Sequence, residues 1–280
     1  MSIINALLDL FELKMKEPVA YAPFTESWFH YLSLLLMVVY TILLTIRFKR
    51  ADEEGVKHTL RNIGIALIIF EIYKQVTFSY HDDGSWHFQW YAFPFQFCST
   101  AMYMMFLVGM SRNKSMYDYG LAFLATFTMF AGLAVMFYPV TVFVDQIGIN
   151  IQTMFYHGSM AAVGLALVFS GKVSHAYQTV VKGMIPMTIL ILMAVLMNGL
   201  FNRFMPDSGT FNMFFINPAY ASGLVILNDI QPHVSPMMFI IIYFAGISFV
   251  SLIVFKLFVG ATKLWIKAAH KKPIVKKQSI

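Results

Sequence analysis

The chain has 280 residues, of which 59% are apolar and only 12% charged, about half the charged share of an ordinary soluble domain. Its 20 Lys and Arg outnumber 14 Asp and Glu, for a net charge of +6. These proportions exclude a water-soluble globule: lipid is the solvent for most of the chain, and helices must carry the fold, because an unpaired backbone group in hydrocarbon costs several kcal/mol. An outer-membrane barrel would need ~10-residue alternating segments. The apolar runs here are continuous and about 20 residues long, the length of a spanning helix.

In chain order, residues 1–26 read as an external N-terminal segment, with no basic stretch before an apolar one and so no cleaved signal peptide expected. Seven spans are predicted, at roughly 27–46, 62–80, 90–110, 118–138, 148–170, 178–201 and 236–259. Together they form an all-α, polytopic seven-transmembrane-helix domain over 27–259. The long connection 202–235 is too apolar for a free loop and too interrupted by Pro and Asn for a span, and reads as an external cap or re-entrant element. A basic tail, 260–280, closes the chain and is expected to be mobile after Trp265.

Charge tests the span count. Arg47, Lys49, Arg50, Lys57 and Arg61 lie between spans one and two, and Arg112 and Lys114 between three and four; Lys172 borders the loop between five and six, and Lys182 opens span six. Lys256, Lys263, Lys267, Lys271, Lys272, Lys276 and Lys277 follow on the same side. The other side holds only Lys14, Lys16 and Arg203, with Lys74 inside span two. Seven spans with the N-terminus outside and the C-terminus in the cytoplasm satisfy the positive-inside rule, and six or eight spans do not. The net charge thus orients the protein and meets anionic lipid at the cytoplasmic face, at about 1 kcal/mol per juxtamembrane lysine. A nucleic-acid partner is not expected, since no stacking module accompanies the basic tail.

Ionisable and strongly polar residues inside spans are costly and mark function by default. Span two carries Glu71, Lys74 and Gln75 on one helical face. Gln96 and Cys98 fall in span three, His157 in span five, Asn198 and Asn202 in span six; His30 opens span one, and Asn212 lies in the cap. Counting 1.5 Å per residue from the outer face puts Cys98 ~12 Å, Glu71 ~13 Å and His157 ~14 Å deep. Three reactive groups from three helices thus share one level. Cys98 is the single cysteine, so it cannot form an internal disulfide. His81, Asp82, Asp83 and His87 read as a solvated loop rather than a metal site, and no metal or cofactor is expected. Ser159 and Ser222 adjoin glycines without the strand-to-helix context of a nucleophile elbow.

Pro94-Phe95-Gln96-Phe97-Cys98 resembles the Pro-Leu-His-x-Cys motif in the third span of the YwaF-like integral membrane family, which is related to the transmembrane protein 164 acyltransferases. His30 matches a histidine opening span one, and His157, 59 residues after the cysteine, matches one in span five. Asn212-Met213-Phe214-Phe215 followed by Asn217-Pro218 is similar to the family's stretch before the last span. The resemblance covers roughly 27–258, and it departs at Gln96, where the family motif has histidine.

The resemblance implies phospholipid acyl transfer through a Cys98 thioester, in a multi-pass protein of a bacterial plasma membrane. A thiol of ordinary pKa, about 8.5, is a weak nucleophile until a base or a positive neighbour favours the thiolate. His157 could take the proton, with Glu71 orienting it as the third member of a triad does. Lys74 and the Asn residues could hold a phosphate or stabilise an oxyanion. The alternative is a transporter or lipid carrier that uses the intramembrane Glu71/Lys74 pair.

Overall fold

The computed structural model describes residues 3–14, 16–81 and 83–270. All long elements are helices: α1 Ile3–Phe11, α2 Phe24–Arg50, α3 Glu53–Ser79, α4 Thr100–Met110, α5 Lys114–Phe123, α6 Met129–Phe137, α7 Ile147–Phe169, α8 Gln178–Phe204, the single turn α9 Leu227–Ile230, and α10 Pro236–His270. A π-turn, Leu124–Thr128, fuses α5 to α6. Among the described residues no strand forms, and pairing is limited to two isolated bridges.

Five of these helices are long and apolar enough to cross a membrane: Phe24–Arg50, Lys114–Phe137, Ile147–Phe169, Gln178–Phe204 and Pro236–Leu264. They cover predicted spans one, four, five, six and seven. Helix α3 has the length, but Glu71, Lys74 and Gln75 interrupt its apolar run. Predicted span three differs more. Only Thr100–Met110 is α-helical, while Trp90–Ala92 is a 3₁₀ turn and residues 93–99 are irregular. Pro94 is the cause, since its ring disfavours a helical residue before it, and Phe93 is extended (φ −50°, ψ 134°). Helix α10 runs past residue 260 to His270, into the predicted tail; Lys271, Lys272, Lys276 and Lys277 lie outside the described residues, as does Asp82.

Helix α7 is the axis of the bundle, buried from Ile149 to Val168 on nearly every face and packed against α2 and α6. In lipid the drive for helices to associate is packing, so small residues mark the contacts. A Cβ on Gly132 of α6 would stand 2.5 Å from the Ala161 nitrogen and 2.7 Å from the His157 carbonyl oxygen. One on Gly64 of α3 would stand 2.8 Å from the Phe106 nitrogen of α4. These glycines bring α6 onto α7 beside His157, and α3 onto α4 just beyond Cys98.

The cytoplasm-directed basic loops of the prediction are ordered by pairing. Asp52 caps α3 by accepting from the Gly55 N–H at 2.8 Å, and Lys172 donates to the Ala51 carbonyl at 2.7 Å beyond the end of α2. Lys57 hydrogen-bonds Glu53 and thereby holds that carboxyl below its usual range.

Candidate functional site

The turn carrying Cys98 is bracketed from two helices. On one side, Ser99 Oγ donates to Glu71 Oε1 of α3 at 3.2 Å, and Lys74 donates to the same carboxylate oxygen one helical turn on. On the other, the Tyr156 hydroxyl of α7 donates to the Ser99 carbonyl at 3.2 Å. Ser99 and Tyr156 each adjoin a predicted reactive residue, Cys98 and His157. Tyr103 Oη donates to the Pro94 carbonyl at 2.9 Å and fixes the other limb of the turn. Cys98 is half-buried just before the first turn of α4, where the helix dipole favours an anion.

His157 Nδ1 lies 2.8 Å from the Thr153 carbonyl. A carbonyl only accepts, so Nδ1 carries the proton of the neutral ring and Nε2 keeps a lone pair. The orienting partner of His157 is therefore a backbone carbonyl, and Glu71 is engaged with Ser99 and Lys74 instead. This corrects the triad role expected for Glu71. The shared depth also needs correction at Cys98: it lies in an irregular turn, so counting a helical rise from residue 90 does not apply to it.

The amides expected to hold substrate have other work. Gln96 Nε2 donates to the Asn212 carbonyl at 3.1 Å, and its Oε1 accepts from the Phe214 N–H at 3.1 Å. Asn198 does the same to Met213, donating to its carbonyl at 3.0 Å and accepting from its N–H at 2.9 Å. Asn202 exchanges two hydrogen bonds with Asn217, at 2.8 and 2.9 Å. Asn212 accepts from the Asn217 N–H at 2.9 Å and donates to the Ala221 carbonyl at 3.0 Å. Gln96, Asn198 and Asn212 thus satisfy backbone groups of Phe211–Asn217, and Asn202 holds the Asn217 side chain, whose amide in turn donates to the Phe211 carbonyl. Such backbone survives at membrane depth only when protein partners replace water.

The cap is strained as well as buried. Phe214 and Phe215 both have positive φ, 60° and 58°, in the left-handed region that bulky residues avoid at ~1–3 kcal/mol each. Phe214 is fully buried, and its ring lies 5.9 Å from Phe95 and 5.8 Å from Phe97. The cap therefore closes directly over the turn that presents Cys98.

Gln75 and His30 lie apart from this cluster. Gln75 donates to Ser79 Oγ at 3.1 Å and to the Gln89 carbonyl at 3.2 Å, bracing the loop after α3. His30 is fully buried, with Nε2 donating to the Met136 carbonyl of α6 at 2.9 Å and its ring edge-on to Tyr21. Ser99, Tyr156 and Tyr103 escape a sequence reading that looks only for rare residue types, although the first two adjoin Cys98 and His157. Tyr243 of α10 is a further such residue: its hydroxyl is buried with no hydrogen-bond partner among the described residues, within electrostatic reach of Cys98.

The cysteine turn, the central-helix histidine and the amide-held segment occur together across one continuous region. Residues 24–259 match the TMEM164 family. The chain belongs to this family. It is a multi-pass membrane protein, with apolar helices of spanning length through the matched region. No curated protein and no solved structure matches the chain.

Proposed function

We propose that this TMEM164-family protein is a YwaF-like, membrane-embedded acyltransferase with Cys98 as nucleophile and His157 as base. One observation carries the reading: Ser99 ties the Cys98 turn to Glu71 on one side and to Tyr156, the neighbour of His157, on the other. In the proposed cycle, His157 Nε2 takes the thiol proton and Cys98 sulfur attacks the carbonyl carbon of a membrane phospholipid ester. The tetrahedral intermediate collapses to a thioester; the leaving lipid alkoxide takes the proton from His157. An acceptor hydroxyl then gives its proton to His157 and attacks the thioester, which restores the free thiol. Lys74 supports the thiolate, and the unpartnered Tyr243 hydroxyl supplies a donor for the oxyanion.

The same proposal includes seven spans, an outside N-terminal segment 1–26, a cytoplasmic tail 260–280, and residence in a bacterial plasma membrane. The test is acyl transfer between phospholipids by purified protein. Cys98→Ala should abolish transfer and the trapped acyl adduct on the Cys98 peptide, with thermal stability unchanged. Full transfer by Cys98→Ala rules out the thioester route. The buried Glu71–Lys74 pair also suits a proton-linked carrier; uptake lost in Glu71→Gln and kept in Cys98→Ser would support that second reading.

A further inference from the structure

A pocket of about 560 Å³ lies between α2 and α7. Trp28 stands at one end and Leu43 toward the other, with Leu36, Tyr40, Ile151 and Phe155 along the walls. Leu36, Leu43 and Ile151 are exposed, so the groove faces the surrounding lipid. It is separate from the Cys98 turn: α7 presents Ile151, Phe155 and Gly158 here, whereas Tyr156, on another face of the helix, bonds Ser99.

One feature is foreign to a groove built only for hydrocarbon. Ser159 lines it at 1% exposure, and its hydroxyl has no hydrogen-bond partner among the described residues. A helical serine ordinarily returns its proton to the carbonyl four residues back, as Ser33 on the facing helix does with Phe29 at 2.8 Å. Ser159 leaves its donor unspent, and a buried donor without an acceptor is costly.

Three properties select the occupant. The hydroxyl calls for an acceptor. No charged residue lines the groove, so a phosphate or a carboxylate would meet no counter-charge there. Ser159 lies twelve residues into α7, about 18 Å along its axis, which is near the middle of a hydrocarbon core roughly 30 Å thick. A phospholipid ester is held near the surface by its charged headgroup. A lipid ester without such a headgroup is free to sink to that depth.

We propose that the α2–α7 groove binds a neutral acyl ester of the diacylglycerol class, whose carbonyl oxygen accepts a hydrogen bond from Ser159. The binding is independent of chemistry at Cys98. Gly158 lines the groove beside Ser159, and the atoms nearest a Cβ there would be side-chain atoms of Met136 and Met37, at 3.7–3.8 Å, so a larger residue meets movable side chains first.

The experiment uses full-length protein in phosphatidylcholine liposomes, with a trace of diacylglycerol carrying a photoreactive acyl chain, and in parallel a phosphatidylcholine with the same chain. Diacylglycerol should label peptides spanning 28–43 and 147–159 in preference to phosphatidylcholine. Ser159→Ala should reduce that labelling about tenfold, the ratio that one ordinary hydrogen bond supplies. Gly158→Ile should bring it to the level of the other lipid-facing helices. Cys98→Ala should leave it unchanged, which separates this site from the proposed acyl transfer. Equal labelling by the two probes marks boundary lipid and overturns the proposal, as does full labelling in Ser159→Ala. If Gly158→Ile does not fold, Ser159→Ala decides alone, because the Ser159 hydroxyl makes no hydrogen bond among the described residues.

Discussion

The Gln96 position separates a catalytic from a structural reading of the family motif. Its amide bridges the Asn212 carbonyl and the Phe214 N–H, both at 3.1 Å. Gln96→Ala leaves the Phe214 N–H unpaired, and Phe214 is fully buried, so water does not replace the lost partner; the Asn212 carbonyl keeps the Phe215 N–H at 3.2 Å. At ~1.5 kcal/mol for the orphaned donor and ~0.5 kcal/mol for the hydrogen bond lost at Asn212, the loss is about 2 kcal/mol. The left-handed turn at Phe214 and Phe215 also has less to hold it closed. A large domain loses about 2–4 °C of Tm per kcal/mol, so the apparent Tm in detergent should fall by about 4–8 °C. Limited proteolysis should cut residues 205–235 much faster than in the wild type. Gln96→His should lose least, because a neutral imidazole keeps one donor and one acceptor. Gln96→Glu, an acceptor only when ionised, should be unstable at neutral pH and recover in acid as its carboxyl regains an O–H donor. If Gln96→Ala stops acyl transfer while Tm and cap proteolysis stay at wild-type values, the clamp reasoning is refuted and the side chain acts in the chemistry.

Removing one member of the buried Glu71–Lys74 pair should cost about 3–5 kcal/mol. The double variant Glu71→Gln, Lys74→Met should recover much of that loss, measured by thermal unfolding of the two singles and the double. Gly132→Leu should prevent stable packing of α6 on α7, because its Cβ meets backbone of Ala161 and His157 rather than a movable side chain; size-exclusion chromatography of the purified protein reads the outcome. Tyr243→Phe should lower kcat for acyl transfer about 10-fold or more, as the loss of an oxyanion donor does, while Tm holds or rises because an unpartnered buried hydroxyl is removed.

Apolar run length was enough to locate the helices covering predicted spans one, four, five, six and seven, since hydrocarbon thickness sets that length directly. The same reasoning overextends the third span. It counts Phe93, Phe95 and Phe97 as part of a spanning helix, yet Pro94 forces the chain out of the helix and those rings pack against Phe211 and Phe214. Cys98 and His157 stand out in sequence because thiols and imidazoles are rare inside spans. Their scaffolding does not: Ser99, Tyr156 and Thr153 matter through a hydroxyl or a carbonyl that many residues could offer. Asn198, Asn202, Asn212 and Gln96 show the opposite difficulty. An amide that grips a phosphate and one that grips backbone are the same letter, and only the partner tells them apart. Ser159 is legible in neither way, because its interest lies in a hydrogen bond that it does not make.

The cap also has an order of assembly written into it. Gln96, Asn198 and Asn202 all precede Phe211–Asn217, the segment they hold. As the chain is synthesised from its N-terminus, both amide docks on the flanking elements exist before the cap emerges. The remaining partners of Asn212 and Asn217 are Phe211, Ala219 and Ala221, which arrive with the cap itself. The backbone of Phe211–Asn217 therefore does not wait for a later helix to satisfy these amides. A nascent chain that ends shortly after residue 223 already holds the partners that these amides have among the described residues, before α10 is made.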